Sequence, residues 1–292
     1  MATTQVYVLG AGTPTPTAQR FGTSYVLKLD NEQVMFDCGP AATDKLVKSG
    51  LFPTNITHLF FTHHHFDHDV DYPCFLLCRW DQSIGIEKEL QVFGPTLTEQ
   101  LTHRILDEKE GAFAHDWIAR VNHPGSKRIY ELRGGSPPRK PPSVQSKDIS
   151  PGKVFRGSDW EVHADTAEHA EPWLDSLAYR VETESGSIVF TGDTRRCESV
   201  TTLARDADVM IVSCWDDQER MDRREDGLAG ICGTTDAAQL AQDAGVKKLV
   251  LAHVGPELAQ HGDMLKGIRD IKKIYDGEVI FAEELMSFQM AK

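Results

Sequence analysis

The chain is short of positive charge, of long apolar runs and of paired cysteines. Its 31 Lys and Arg residues stand against 44 Asp and Glu residues, which gives a formal net charge of −13. No apolar run approaches the roughly 20 residues that a membrane-spanning helix needs. The N-terminal MATTQVYVLG has no basic stretch before its apolar residues, which argues against a secretory signal. We therefore expect a cytoplasmic protein without a membrane segment.

The cysteine pattern and the charge balance narrow the class of protein further. The six cysteines include no Cys-x-x-Cys pair and lie mostly in apolar contexts, which is typical of reduced core thiols. A nucleic-acid enzyme is expected to carry a basic surface, and Arg133, Arg139 and Lys140 offer only a small one. The balance predicts a small-molecule substrate, with nucleic acid unlikely as a partner. A symmetric homodimer is the default assembly.

What the chain does contain is a dense cluster of ligand-type side chains. Residues 56–69 read ITHLFFTHHHFDHD, an apolar run typical of a buried strand that leads into the cluster. The cluster consists of His63, His65, Asp67 and His68. In an extended segment His63 and His65 point the same way, whereas His64 points the opposite way. Imidazole and carboxylate both suit zinc, and four ligands so close together indicate two ions.

Two other apolar runs also end near candidate ligands. Residues 187–190 lead through a glycine to Asp193, and residues 248–252 lead directly to His253. Taken alone, an aspartate after Thr-Gly is as often a plain turn, and a histidine in LAHVG is more often a core residue. Three strands that each end at a candidate ligand are, however, the pattern of a metal site at a sheet edge.

These segments together resemble the metallo-β-lactamase superfamily, in its ribonuclease Z and arylsulfatase-like branch. The similar segments, in chain order, are VYVLGAGTPTP, RFGTSYVL, VMFDCGP, THHHFDHD, HAEPWLDSLAYR, TGDT and LAHVGP. The resemblance implies an α/β fold, a four-layer αββα sandwich of two sheets between helices. It covers about residues 1–80 and 160–285. We expect one domain over residues 1–292, with residues 81–158 as an insertion that serves as a lid or a dimer contact.

The resemblance also implies a complete set of metal ligands. One metal is held by His63, His65 and His169, the other by Asp67, His68 and His253, and Asp193 bridges them. His163 is the alternative to His169, but it alternates within WEVHAD as a strand residue would. Two Zn²⁺ ions are expected, with Mn²⁺ or Fe²⁺ as alternatives. Asp67 would also be catalytic, orienting the bridging hydroxide or accepting its proton.

The chain departs from the ribonuclease Z pattern at the group that protonates the leaving oxygen. Relatives of that type place a Glu-His pair there, and this chain has Ser213 and Cys232 instead. Asp216, Asp217 and His261 are the remaining candidate acids, each more often an ordinary surface residue. The expected function is thus a dinuclear zinc-dependent hydrolase that uses the bridging hydroxide on a lactone, an ester or a cyclic amide.

Three alternatives belong to other classes of function. The first is a phosphodiesterase or sulfatase of the ribonuclease Z type. The second is a di-iron redox protein, against which stand the histidine at position 65 and the lack of a flavin domain. The third is a non-catalytic interaction protein, against which stands the intact ligand set. The stretch RGGSPPRKPP predicts no regular structure, and Trp80 and Trp117 are compatible with a wall for an organic substrate.

Overall fold

The computed structural model describes residues 4–30, 32–223 and 230–290. A first seven-stranded sheet contains strands from both ends of the chain. They are β1 (Gln5–Ala11), β2 (Thr23–Lys28), β3 (Gln33–Phe36), β4 (Ile56–Phe60), β5 (Leu90–Gly94), β6 (Val144–Asp148) and β14 (Ser287–Gln289). Their spatial order is β14-β1-β2-β3-β4-β5-β6. The strands from β3 to β6 run parallel to one another.

A second seven-stranded sheet comes from the later part of the chain. It contains β7 (Gly152–Arg156), β8 (Trp160–Thr166), β9 (Leu177–Thr183), β10 (Gly186–Phe190), β11 (Val209–Ser213), β12 (Lys248–Ala252) and β13 (Glu278–Phe281). Their spatial order is β13-β12-β11-β10-β9-β8-β7. The strands from β10 to β13 are parallel, so each sheet has a parallel half whose strands end at one edge.

Helices cover the outer faces of both sheets. They are α1 (Ala42–Lys48), α2 (Phe66–Asp69), α3 (Tyr72–Gln82), α4 (Thr98–Leu106), α5 (Ala114–Asn122), α6 (Pro124–Leu132), α7 (Glu198–Leu203), α8 (Gln218–Asp222), α9 (Thr234–Ala244) and α10 (His261–Ile271). A 3₁₀ turn spans Pro53–Asn55. Of the helices in the described ranges, none is long and apolar enough to cross a membrane.

The two sheets pack face to face through an apolar core that is rich in aromatic rings. Phe36 of β3 stacks on Phe190 of β10 with ring centroids 4.1 Å apart, and on Phe60 of β4 at 5.3 Å. Aromatic pairs of this kind add roughly 0.5–1.5 kcal/mol each beyond the area they bury. Separate apolar clusters fill the space between each sheet and its own helices. The predicted four-layer αββα sandwich is confirmed.

Part of the segment predicted as an insertion belongs to the sheets. β5 and β6 extend the first sheet and β7 extends the second, so the longest continuous stretch of this segment outside the sheets spans residues 95–143. It carries α4, α5 and α6, followed by the irregular proline-rich stretch. In that stretch the Arg139 guanidinium lies 3.9 Å from the centroid of the Trp80 ring. The aromatic ring of Trp80 is therefore occupied by a side chain of the protein itself.

A buried histidine lies at the amino-terminal side of β4, away from the strand ends just described. The His58 ring packs against Phe155 and Trp160, with centroids 4.4 and 5.0 Å away. Its Nδ1 lies 2.9 Å from Thr57 Oγ1, and its Nε2 has no hydrogen-bond partner. Burial lowers the pKa of His58 from 6.5 to about 4, so the folded protein holds the neutral ring.

The fold should therefore lose stability as the solution is acidified through this range. Between the unfolded pKa of 6.5 and the folded value of about 4, the unfolded chain binds the proton first. We expect His58→Leu to show a smaller loss of Tm between pH 7 and pH 4 than the wild type, measured by thermal denaturation. His115→Gln, which removes an exposed histidine of α5, is the matched control. Parallel pH profiles for His58→Leu and the wild type would contradict the assignment.

Candidate metal centre

Four strands deliver polar side chains to one edge of the sandwich. Asp37 follows β3 and His63 follows β4 in the first sheet, while Asp193 follows β10 and His253 follows β12 in the second. All four side chains are buried. Because these strands belong to the parallel halves of the two sheets, their carboxyl ends meet at one edge. The predicted placement of three strand-end ligands agrees with this arrangement.

The turn that carries Asp193 depends on a glycine. Gly192 has φ 58°, and a Cβ added there would lie 2.6 Å from the Thr62 Cβ. Only glycine adopts this conformation freely and also permits such a close approach between the two sheets. The short TG turn thus brings Asp193 from the second sheet against the histidine segment of the first.

Three histidine nitrogens converge in a first group. His63 Nε2 lies 3.0 Å from His65 Nδ1, and His169 Nε2 lies 3.1 Å from the same His65 atom. His169 Nδ1 lies 2.6 Å from the carbonyl oxygen of Gly230, so Nδ1 carries the proton and Nε2 presents its lone pair. Three ring nitrogens that face one another at these distances form a cradle for a cation.

A second group lies directly beside the first. Its members, within 4.8 Å of one another, are the ligand atoms of Asp67, His68 and His253. His253 Nε2 lies 3.1 Å from Asp67 Oδ2 and 3.2 Å from Asp193 Oδ2. Asp193 also lies 3.5 Å from His68 Nε2 and 3.7 Å from His169 Nε2. Its carboxylate therefore stands between the two groups.

A further set of side chains orients these groups from behind. Asp37 Oδ2 accepts a hydrogen bond from His68 Nδ1 at 2.8 Å, which turns His68 Nε2 toward the centre. Asp37 also accepts hydrogen bonds from the Thr62 backbone N–H and hydroxyl, at 2.7 and 2.8 Å. The Ser213 hydroxyl donates to Asp193 Oδ1 at 2.6 Å. Such outer partners fix the orientation and the tautomer of a ligand.

The protonation states suit a positive ion. Burial lowers the pKa of His63 well below its usual range and also lowers that of His65, which keeps both rings neutral. Burial opposes ionisation of Asp193, but His253 and His68 hold its pKa well below the usual value. His68 Nε2 is buried and has no hydrogen-bond partner. Burial opposes a charge on His68, but Asp193 and Asp37 raise its pKa well above the usual range, so His68 carries a proton that a bound cation would displace. Neutral rings at His63 and His65 and an ionised Asp193 together fit a divalent cation.

Two of these residues have an unusual backbone. Asp37 has φ 57° and His253 has φ 52°, in the left-handed region that non-glycine residues seldom occupy. Each such residue costs of order 1–3 kcal/mol and persists only where the surroundings fix it. Backbone strain at two residues of one cluster is typical of a functional site.

The structure brings together all seven residues of the predicted ligand set. They are His63, His65, Asp67, His68, His169, Asp193 and His253. His64 points away, as predicted, and lies 2.9 Å from Thr98 Oγ1 and 3.2 Å from Asp69 Oδ2. His163 lies on β8, where its Nε2 is 3.0 Å from Glu161 Oε1.

The two positions that depart from the ribonuclease Z pattern have structural roles. Ser213 holds Asp193, and Cys232 is buried in the apolar cluster beneath α9. Of the candidate acids, Asp216 accepts from Arg220 and Asp217 binds Lys266, both as buried groups rather than surface ones. The side chain of His261 lies outside the described part of the structure.

Sequence reasoning missed the supporting residues of this site. Asp37 follows an apolar run, as Asp193 does. The segment VMFDCGP therefore carried a signal that could have identified Asp37. Ser213 and Trp215 carried none. The Trp215 ring is half-buried and lies 5.7 Å from the His253 ring, tilted by 43°. It forms an aromatic border to the second group.

Known proteins of similar sequence are named as ribonucleases. The chain is 27% identical to Ribonuclease Z of Methanothermobacter thermautotrophicus, over 98% of this chain and 96% of that protein. It is 26% identical to Ribonuclease Z of a Mycobacterium species (strain KMS), over 87% of this chain and 85% of that protein. These names overturn the prediction of a small organic substrate with nucleic acid unlikely. That prediction relied on the net charge of the whole chain, which does not determine the field at one site, and on Ser213 and Cys232 at the positions of the leaving-group pair.

Solved structures agree on the architecture. The metallo-beta-lactamase fold protein YhfI of Bacillus subtilis superposes with a TM-score of 0.73 and 18% identity, over 98% of this chain and 99% of that one. The short form of human tRNase Z superposes with a TM-score of 0.67 and 21% identity, over 99% and 100%. A family model described as "Beta-lactamase superfamily domain" matches residues 32–254. The chain therefore belongs to the beta-lactamase superfamily.

Proposed function

We propose that this protein is a metal-dependent phosphodiesterase of the ribonuclease Z type, with RNA as its substrate and transfer RNA as the first kind to test. The observation that carries the proposal is the convergence of seven ligand side chains into two groups that share one edge of the sandwich. Relatives that align over 98% of the chain bear the name Ribonuclease Z. A paired site of this kind suits the in-line displacement at a phosphodiester.

We assign the ligands to two zinc ions. His63, His65 and His169 would hold one ion, Asp67, His68 and His253 the other, and Asp193 would contact both. Imidazole and carboxylate ligands match the preference of zinc, while Mn²⁺ and Fe²⁺ share enough of it to compete. When bound, the ions would lower the pKa of a water molecule and stabilise charge on the phosphoryl oxygens.

We assign to Asp67 the role of accepting the proton of the attacking water. Burial opposes its ionisation, but the hydrogen bond from His253 lowers the pKa of Asp67 below its usual value. Its carboxylate is therefore ionised at neutral pH and free to accept hydrogen bonds. Its position beside His253 and His68 puts it at the junction of the two ligand groups.

Among the side chains that the structure describes, neither of the two at the expected positions is free to protonate the departing oxygen. Ser213 is engaged with Asp193, and Cys232 is buried with its pKa raised well above the usual value by burial. An RNA leaving group is an alkoxide that needs a proton, whereas a nitrophenolate leaves without one. The geometry therefore supports faster turnover of activated aryl phosphodiesters than of RNA.

Zinc-loaded enzyme should hydrolyse both a precursor transfer RNA and bis(p-nitrophenyl) phosphate, the latter with the higher kcat because its leaving group needs no acid. Asp67→Asn should lower both rates by at least about 100-fold, the lower end of a general acid–base contribution. Gel analysis of the RNA and absorbance of nitrophenolate measure the two activities. His64→Asn, which changes a neighbour that points away from the site, is the control. If metal-loaded protein does not cleave RNA, the proposed function is wrong, whatever its rate on the aryl phosphodiester.

Metal content gives a test that does not depend on activity. Protein purified without chelator should contain about two zinc ions per chain, and His253→Ala should contain about one, because the second group loses a ligand. Elemental analysis measures both values, with His64→Ala as the control. Equal metal content in His253→Ala and the wild type would exclude the two-ion assignment.

Asp37 should control the affinity for the second ion through His68. Asp37→Asn keeps a side chain that tolerates the positive φ but removes the charge that orients His68. We expect a loss of about 10- to 100-fold in zinc affinity, the usual effect of such outer partners. Competition with a chromogenic chelator measures it. Unchanged affinity for both ions would show that the 2.8 Å contact has no role in metal binding.

A further inference from the structure

The loop over residues 170–176 is attached to the metal centre at both ends. At its start, His169 Nε2 lies 3.1 Å from His65 Nδ1. At its end, the Leu177 backbone N–H donates at 2.8 Å to the carbonyl oxygen of Thr62, the residue before His63. A turn inside the loop is closed by the Trp173 N–H, which donates to the Ala170 oxygen at 2.9 Å. Trp173 therefore stands one turn from a metal ligand.

The Trp173 side chain is 87% exposed, more than any other large apolar side chain in the described ranges. The loop that carries it is held in place, since the Thr96 hydroxyl donates to Asp175 at 2.5 Å. A single exposed apolar side chain is ordinary at a protein surface, but an indole buries a large area when it finds a partner. The loop that presents this exposed indole thus begins at His169, four residues earlier in the sequence, and ends at the segment that carries His63.

A free cation lies on the adjoining segment. Arg195 and Arg196 follow the TGDT turn, and Arg195 bonds to Glu168, the residue before His169, at 2.6 Å. Arg196 is exposed, and in the described part of the structure it makes no ion pair or hydrogen bond. Glu168 therefore neutralises Arg195, while Arg196 keeps its full charge. In a chain with a net charge of −13, this unpaired cation is three residues from Asp193.

We infer that Trp173 and Arg196 bind the RNA next to the bond that is cleaved. Trp173 stacks on the base of a nucleotide that flanks the scissile phosphate, and Arg196 binds a neighbouring phosphate. This inference rests on the proposed function. Stacking on an indole accepts any base, and a single arginine supplies the local charge that the acidic surface lacks. The pair is therefore a device for holding a single-stranded segment across the metal centre.

Trp173→Ala should raise KM for a cleavable RNA by about 5- to 150-fold, the range that corresponds to one stacked base. The value of kcat should change little, because stacking stabilises the bound substrate and the transition state alike. Trp173→Phe should recover most of the loss. Phe52→Ala, which removes an exposed aromatic ring before the opposite end of β4, is the matched control. Zinc content, measured in parallel, should be equal in all four proteins.

Abasic substrates separate stacking from a general effect on the loop. For the wild type, an abasic nucleotide beside the cleavage site should raise KM as much as Trp173→Ala does. For Trp173→Ala, the same abasic RNA should raise KM no further. Each position on either side of the bond is tested in turn. If Trp173→Ala and the wild type lose equally with every abasic RNA, or if their KM values for intact RNA are equal, the stacking assignment is overturned while the proposed function stands. If the zinc-loaded wild type does not cleave RNA at all, both are overturned.

Variants of Arg195 and Arg196 provide a second test, because each removes one positive charge. Arg196→Gln should reduce the slope of log KM against log salt concentration by about 0.7, as for one phosphate contact to a single strand. Arg195→Gln should leave the slope unchanged, because Arg195 is already paired with Glu168. Equal slopes for the two variants would remove Arg196 from the proposed contact.

Discussion

The site depends on one ionised carboxylate that is kept in the interior. Asp193 is only 4% exposed, and burial of an unpaired charge is costly enough to favour its neutral form. His253 and His68 lie 3.2 and 3.5 Å away and hold its pKa low, and Ser213 adds a hydrogen bond at 2.6 Å. Ser213 ends β11 and His253 follows β12 in the second sheet, whereas His68 lies on α2 and is held by Asp37, which follows β3 of the first sheet. The charge of Asp193 therefore links the two sheets chemically, as the aromatic core links them by packing.

The need to keep Asp193 ionised and its neighbours oriented accounts for features that would otherwise only reduce stability. Asp37 and His253 adopt strained backbone conformations, and Gly192 admits an approach that no other residue would allow. Ser213 gives a hydroxyl at a position where a proton donor for the leaving group was expected. In each case the local cost or the lost acid serves the orientation of the same few ligand atoms. At position 213 the arrangement favours the orientation of the candidate ligand Asp193 over a leaving-group acid.

Much of the site could be predicted because its signals are local. Residues 248–252 form a short apolar run that leads directly to His253. The strand found there, Lys248–Ala252, has the predicted bounds. His169 came from the family resemblance, and the period of a strand argued against His163, since residues two apart share a face. Asp37 and Ser213 could not be assigned in this way. Their roles arise from contacts with His68 on α2 and with Asp193 in the turn after β10, which are 31 and 20 residues away in the sequence.

The prediction of the substrate class was wrong because net charge is a property of the whole chain. At 0.1 M salt, charges more than about 10 Å from a bound phosphate are largely screened. An acidic surface therefore weakens the approach of RNA without preventing its binding at a site that carries its own cations. Bound metal ions, together with the arginine three residues after Asp193, would reverse the local sign. The remaining affinity must then come from contacts that salt does not screen, and an indole that lies 87% in water is suited to supply them.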